Sequence, residues 1–219
     1  MANRKQSNPL EKPPSRTRLL NAALDLVRAR GYAATTVDDI CHRAGVTKGS
    51  FFHHFKSKED LALAAADYWS SRTAALFAAA AYHDAAALPD AVDRLLAYID
   101  LRKALIQGDL PNFTCLVGTM VQEVYDTHPA LREACCESIS GHASTLIPDI
   151  EAAMRQRGIE PDIRGGFTAE SLALYTQASI QGAFILAKAT RNAAVAAECI
   201  NHLRRYFEQL FHQPAKEGL

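Results

Sequence analysis

The chain has 219 residues, 48% hydrophobic and 22% charged, with 24 basic residues against 24 acidic ones, a balance that suits one ordinary globular domain or two small ones. No apolar run approaches the ~20 residues of a membrane span, Arg4 and Lys5 lead into no apolar signal core, and five scattered cysteines, an odd number, make no disulfide framework. The zero net charge hides a division: residues 1–60 carry 11 Lys and Arg against 6 Asp and Glu, while residues 61–219 carry 13 against 18, so a nucleic-acid end and an acidic remainder are expected.

Residues 1–14, with Pro9, Pro13 and Pro14, are expected to form a flexible tail whose Arg4, Lys5 and Lys12 can reach phosphates or a minor groove. A first helix starts near Ser15. Its Leu20, Ala23, Leu24 and Val27 repeat at i, i+3, i+4, i+7, and Gly31 ends it.

Thr36 caps a second helix, with Val37, Ile40 and Cys41 on its buried side. Ala44-Gly45-Val46 is a tight turn, and Thr47 caps a third helix over about 47–54. Two short helices joined in this way present the second to the DNA major groove. At about 100° per residue, Thr47, Lys48, Ser50 and His54 share the outward side while Phe51 and Phe55 turn inward. Gly49 weakens the helix by roughly 0.5–1 kcal/mol against Ala but lets the backbone approach DNA closely. Lys56 and Lys58 follow, placed for phosphates.

From Ser57 a long Ala-rich helix runs through Trp69 to about Tyr82. Further helices are expected near 89–107, 113–126, 129–157, 168–190 and 192–212, with Pro148 kinking or breaking the third of the five and a loop at 157–166. No segment alternates convincingly as a strand. The chain reads as all-α, about nine helices: a head over 15–61, then a bundle over 62–219.

The head resembles the DNA-binding domain of the TetR/AcrR family of bacterial transcriptional regulators. The resemblance lies in Gly31-Tyr32, in Thr35-Thr-Val-Asp-Asp-Ile40, and in Ala44-Gly-Val-Thr-Lys-Gly-Ser50 leading into Phe-Phe-His-His-Phe-Lys-Ser-Lys-Glu-Asp-Leu61. It implies phosphate contacts for Thr36, Lys48 and Lys58, and a DNA-facing set that includes Thr47, Gly49, Ser50, Phe52, His53 and His54. The family usually has Tyr where this chain has Phe52, so one phosphate hydrogen bond is missing; His53 and His54 are possible replacements as donors.

For the remainder the resemblance implies a ligand-binding and dimerising bundle. Trp69, Tyr98, Phe113, Cys115, Met120, Glu123, His142, Tyr175 and Phe184 are bulky or polar residues suited to a mostly apolar cavity with a few anchors. Phe113-Thr-Cys-Leu-Val-Gly118 resembles a segment that in some members senses electrophiles through its Cys, which makes Cys115 the alternative signal site. Ala178, Gly182, Ile185 and Ala189, with Leu203, Phe207 and Leu210, are the expected dimer contacts.

These features lead to a ligand-responsive repressor: a cytoplasmic homodimer on a palindromic double-stranded DNA operator, released by an unidentified small-molecule effector, with no membrane partner. A purely architectural or effectorless regulator is the simpler alternative. An enzyme is disfavoured, since Glu123 and His142 make no acid–base motif and no cofactor or metal spacing occurs.

Overall fold

The computed structural model describes residues 13–161 and 166–212. The expected tail with Arg4, Lys5 and Lys12, and part of the 157–166 loop, lie outside them. The described residues form eleven α-helical segments and one 3-10 turn: α1 (Ser15–Arg30), α2 (Val37–Ala44), α3 (Lys48–His54), α4 (Lys58–Ala78), the turn Ala81–His83, α5 (Ala91–Ala104), α6 (Leu110–Phe113), α7 (Leu116–Val124), α8 (Pro129–Ser144), α9 (Ile147–Arg157), α10 (Ala169–Thr190) and α11 (Ala193–His212). The fold is all-helical, as expected. The excess over about nine comes from the single turn α6 and from the break between α8 and α9.

Local chemistry sets most of these boundaries. Thr36 and Asp39 form a reciprocal capping box at α2, and Gly45 ends that helix in the left-handed region. Thr47 caps α3, Ser57 caps α4, and Thr168 with Ser171 caps α10. Arg18 donates to the carbonyls of Ala44 and Gly45, 3.1 Å each, and so locks the turn between α2 and α3 onto α1. Pro148 sits in the first turn of α9, where its missing N–H costs nothing; it therefore starts a helix rather than bending one. α4 stops at Ala78, short of Tyr82, because the chain tightens into the 3-10 turn.

Two apolar cores result. One joins α1–α3 and the first half of α4 to α7 and the start of α8, through Leu20, Ile40, Phe51, Leu61, Leu116, Met120 and Leu131. The other joins the end of α4 to α5, α9, α10 and α11, through Phe77, Ile99, Ile150, Ile180, Leu203 and Phe207. Each large side chain buried this way stabilises the fold by about 1.5–3 kcal/mol. Leu61 and Ala62, either side of the expected domain boundary, pack in the same core. α7 is thus part of the head's core although it lies far along the chain. Among the described residues no helix is long and apolar enough to cross a membrane, and no group of His, Cys, Asp and Glu is placed to hold a metal.

Candidate nucleic-acid interface and internal cavity

α3 rests on Phe51 and Phe55, both buried, and turns Lys48, Gly49, Phe52 and His53 to solvent; Ser50 and His54 are half-buried. Thr36 and Thr47 lie exposed at the starts of α2 and α3, with their hydroxyls engaged in capping. The Lys48 ammonium lies 2.8 Å from the Asp38 carboxylate, and both side chains are mostly exposed. Such a surface pair is weak, so a DNA phosphate can replace the carboxylate at small cost. Asp38 also raises the Lys48 pKa, which keeps the side chain cationic.

Two residues expected at DNA are engaged elsewhere. His54 Nε2 is 2.6 Å from Ser15 Oγ on α1. Lys58 donates to the Tyr32 carbonyl at 3.1 Å and lies 4.1 Å from the centre of the Tyr32 ring. Burial lowers the Lys58 pKa, while the nearby Glu123 carboxylate opposes that shift. Both residues brace the head in this state. Helical register gave their positions but not the direction of their side chains.

Phe52 is 58% exposed and packs edge-on against Phe51, with 5.1 Å between ring centres. A large apolar ring exposed there suits a thymine methyl or a sugar face. Phe52→Tyr adds a hydroxyl without disturbing any buried contact. We expect it to tighten operator binding by about fivefold to tenfold, the worth of one added hydrogen bond, in a fluorescence-anisotropy titration. Weaker binding would show that the ring meets a base rather than the backbone.

The junction between head and bundle is a carboxylate clasp. Glu123, on α7, accepts the Tyr32 N–H on Oε1 at 3.0 Å and the Ala33 N–H on Oε2 at 2.7 Å. Both amides belong to the loop between α1 and α2. The approach is possible because residue 31 is glycine: a Cβ there would overlap the Glu123 carboxylate. Gly31 also has φ 91° and ψ 166°, a conformation nearly confined to glycine. Nothing in the sequence pairs residues 31–33 with residue 123. The isolated Gly at the end of α1 was the only available signal, and it read as an ordinary helix stop.

A cavity of about 490 Å³ lies between α1, α4, α5, α8 and α10 and the α6–α7 connection. Trp69, Phe113, Cys115, His142 and Phe184 line it, as do Arg28, Arg72, Arg102, Gln177 and Gln181. Tyr98 is set behind the wall: Gln177 Nε2 donates to its hydroxyl at 3.1 Å, and the hydroxyl lies 3.0 Å from His142 Nε2. The chain of donors runs from Gln177 through Tyr98 to an unprotonated His142 Nε2. Burial first, and Arg102 second, push the His142 pKa down to about 4, so the imidazole is neutral near pH 7.

Besides Tyr98, three more expected lining residues are not there. Met120 is fully buried in the head's core, and Glu123 serves the clasp. Tyr175 is 47% exposed on the outer side of α10, 5.2 Å from the Tyr206 ring. Helical spacing permitted an inward position for each, but the packing of α7 on α1 and the rotation of α10 decided otherwise. The three arginines are among the lining groups that the sequence did not suggest. Cys115 caps α7 by accepting the Gly118 N–H on its sulfur at 3.4 Å. Arg28 and Lys188 lie close enough to interact electrostatically with it, which the sequence could not reveal.

α10 leaves an apolar stripe open. Leu174, Tyr175, Ile185 and Leu186 are each about half exposed, Ala178 and Ala189 are exposed beside them, and Gly182 is half-buried between them. On α11, Leu203 and Phe207 are 3% and 1% exposed. They belong to this chain's own core, so a partner subunit cannot reach them, whereas Leu210 is half-buried. Their repeat is that of one buried face, and nothing in the sequence separates a face buried within a chain from one buried between two.

Comparison with known proteins agrees with this architecture. The family model for bacterial regulatory proteins of the tetR family matches residues 19–65, and that for the LmrA/YxaF-like transcriptional regulator C-terminal domain matches residues 91–202. A TetR transcriptional regulator from Chloroflexus aurantiacus is 30% identical, with 89% of this chain and 94% of that one aligned at a TM-score of 0.72. A regulatory protein TetR from Rhodobacter sphaeroides shares the fold, with a TM-score of 0.74 at 22% identity over 90% of this chain and 98% of its own. Curated relatives are matched over short stretches of about 50 residues. They include the transcriptional regulator YerO of Bacillus subtilis, 42% identical over 52 residues (24% of this chain and 18% of that protein). They also include the transcriptional repressor KstR2 of Rhodococcus jostii, 52% identical over 46 residues (21% and 22%). The chain thus spans about a fifth of the length of these curated relatives. With a helix-turn-helix head and a C-terminal model that covers half of its length, the chain belongs to the TetR family of bacterial transcriptional regulators.

Proposed function

We infer that this regulator is a homodimeric repressor that leaves its operator when a small molecule fills the cavity. The observation that carries the reading is the position of α7. One end of it, at Cys115 and Val117, lines the cavity, and the other end, at Glu123, holds the loop that follows α1 of the head. A molecule that displaces α7 or α4 strains the clasp and re-aims the recognition helices. This biases an equilibrium between a state that fits the operator and one that does not. Lys48, Thr36, Thr47, Gly49, Ser50, Phe52 and His53 form the DNA side in this reading, with His54 and Lys58 joining if their intramolecular partners are exchanged for phosphates.

Two copies are needed because one short recognition helix reads only a few base pairs. The open stripe on α10 is the surface on which a second copy supports that arrangement. KstR2, a transcriptional repressor similar to this chain over 46 residues, favours repression over activation. Cys115 enters this reading as a cavity residue and helix cap; the size of the cavity supports ligand occupancy over thiol chemistry.

The test is an operator selected from random-sequence DNA. A two-fold symmetric footprint, with half-sites about one helical turn or a multiple of it apart, is the expected result. A single asymmetric half-site, or binding without sequence preference, would refute the reading.

A further inference from the structure

The geometry points to an amphipathic organic anion as the molecule this cavity takes: a flat apolar body with one carboxylate, sulfonate or similar oxyanion, whose charge meets Arg102. This deepens the effector reading above and rests on it. Three guanidinium groups, those of Arg28, Arg72 and Arg102, face the cavity, while Asp25 is the one carboxylate among its described lining residues. Asp25 is already shared, 2.9 Å from Arg43 and 3.7 Å from Arg28. The walls therefore carry an excess of positive charge that a cationic ligand would meet unfavourably.

Arg102 is the strongest anchor. It is half-buried and has no carboxylate within ion-pair distance among the described residues. Its guanidinium carbon lies 5.3 Å from the centre of the Phe77 ring and 5.9 Å from that of Phe184. Among the described residues its only hydrogen-bonding contact is a long one, 3.5 Å from Nη1 to His142 Nε2. A guanidinium has five donors in a planar fork that matches an oxyanion in a bidentate fashion. One long contact to a neutral imidazole leaves most of that capacity unused in a site partly removed from water. Such an arrangement is costly unless a counter-charge arrives. The aromatic faces stabilise the cation only in part.

The same surroundings fix the ligand's other half. Arg28 lies over Trp69, with 5.2 Å to the ring centre, and Phe113 packs against Phe184 at 5.8 Å. Together with Phe77 these rings make flat apolar walls around the charged floor. Arg72, exposed and bonded to Asn21 Oδ1, marks the solvent side of the cavity. A molecule with a ring system and one acidic group satisfies both parts, whereas a neutral one leaves Arg102 as it is.

Two dyes separate these possibilities: anilinonaphthalene sulfonate, and phenylnaphthylamine, which has the same ring body without the sulfonate. Trp69 is the single tryptophan of the chain and lines the cavity, so energy transfer from it reports occupancy there. The sulfonate dye is expected to bind tighter by on the order of tenfold or more, the worth of a charge-assisted hydrogen bond. Arg102→Met should abolish most of that preference, and Arg102→Lys, which keeps the charge, should retain part of it. Equal or tighter binding of the uncharged dye, or a preference that survives Arg102→Met, overturns the assignment while leaving the effector reading intact. Energy transfer to neither dye at any concentration overturns both.

Discussion

Ile185→Glu, on the open stripe of α10, is expected to lower operator affinity by about 10²–10⁴-fold while leaving each chain folded. Ile185 is 48% exposed in the single chain, so a carboxylate there remains hydrated in the monomer. In a two-fold interface the same carboxylate is buried near its symmetry mate, with no cation on the stripe to pair with it. Desolvation and like-charge repulsion then act together against association. The loss at DNA follows because linking two weak half-site interactions raises affinity by about that factor, and uncoupling them removes it. Sedimentation velocity should show a monomer, circular dichroism an unchanged helix content, and anisotropy the weakened binding. A variant that stays dimeric would place the interface elsewhere. Leu203→Glu is the contrasting substitution: it strikes the chain's own core and should unfold the protein rather than dissociate it.

The second large effect is expected at the clasp. Glu123→Ala removes two charge-assisted hydrogen bonds, to the amides of Tyr32 and Ala33. Ala33 is exposed, so water can replace the partner of its amide; Tyr32 is buried, and its amide is harder to satisfy. We expect a stability loss of about 2–4 kcal/mol by urea denaturation. Gly31→Ala should cost a comparable amount for a different reason, since alanine is strained at that φ and ψ and its Cβ pushes the carboxylate off both amides. The double variant should cost less than the sum of the two, because the overlap vanishes once the carboxylate is gone while the backbone strain remains. Full additivity would mean that Gly31 and Glu123 do not act on one another. In both variants an effector should lose its hold on DNA affinity. The ratio of operator affinities without and with effector, about 5- to 150-fold in a working allosteric protein, should fall toward one.

Much of the head could be read from the sequence because its determinants are local. Thr36, Thr47 and Ser57 mark helix starts, Gly45 marks the turn, and Phe51 and Phe55 fall on one side of a short helix. Each of these works within four or five residues, the distance over which helical periodicity and capping speak. What the sequence could not carry was the meeting of distant segments. Glu123 looked like a polar anchor for a ligand because nothing local tells a carboxylate that binds effector from one that caps a loop some 90 residues away. Arg102 and Arg28 stand in the last turns of their helices, where a basic residue is ordinary. Only the packing of α5 and α1 around a common space makes them lining groups. Leu203 and Phe207 show the same limit from the other side: an apolar stripe announces burial but does not say against what.

If α7 carries the state of the cavity to the head through Glu123, amide hydrogen exchange over residues 31–36 reads it. The comparison is between the free dimer and the dimer saturated with a small molecule that releases it from the operator. Faster exchange is expected at Tyr32 and Ala33 when the cavity is filled, as the carboxylate leaves their N–H groups, with little change at the α2 caps Thr36 and Asp39. Unchanged exchange at Tyr32 and Ala33 in a protein that has let go of its DNA would contradict it.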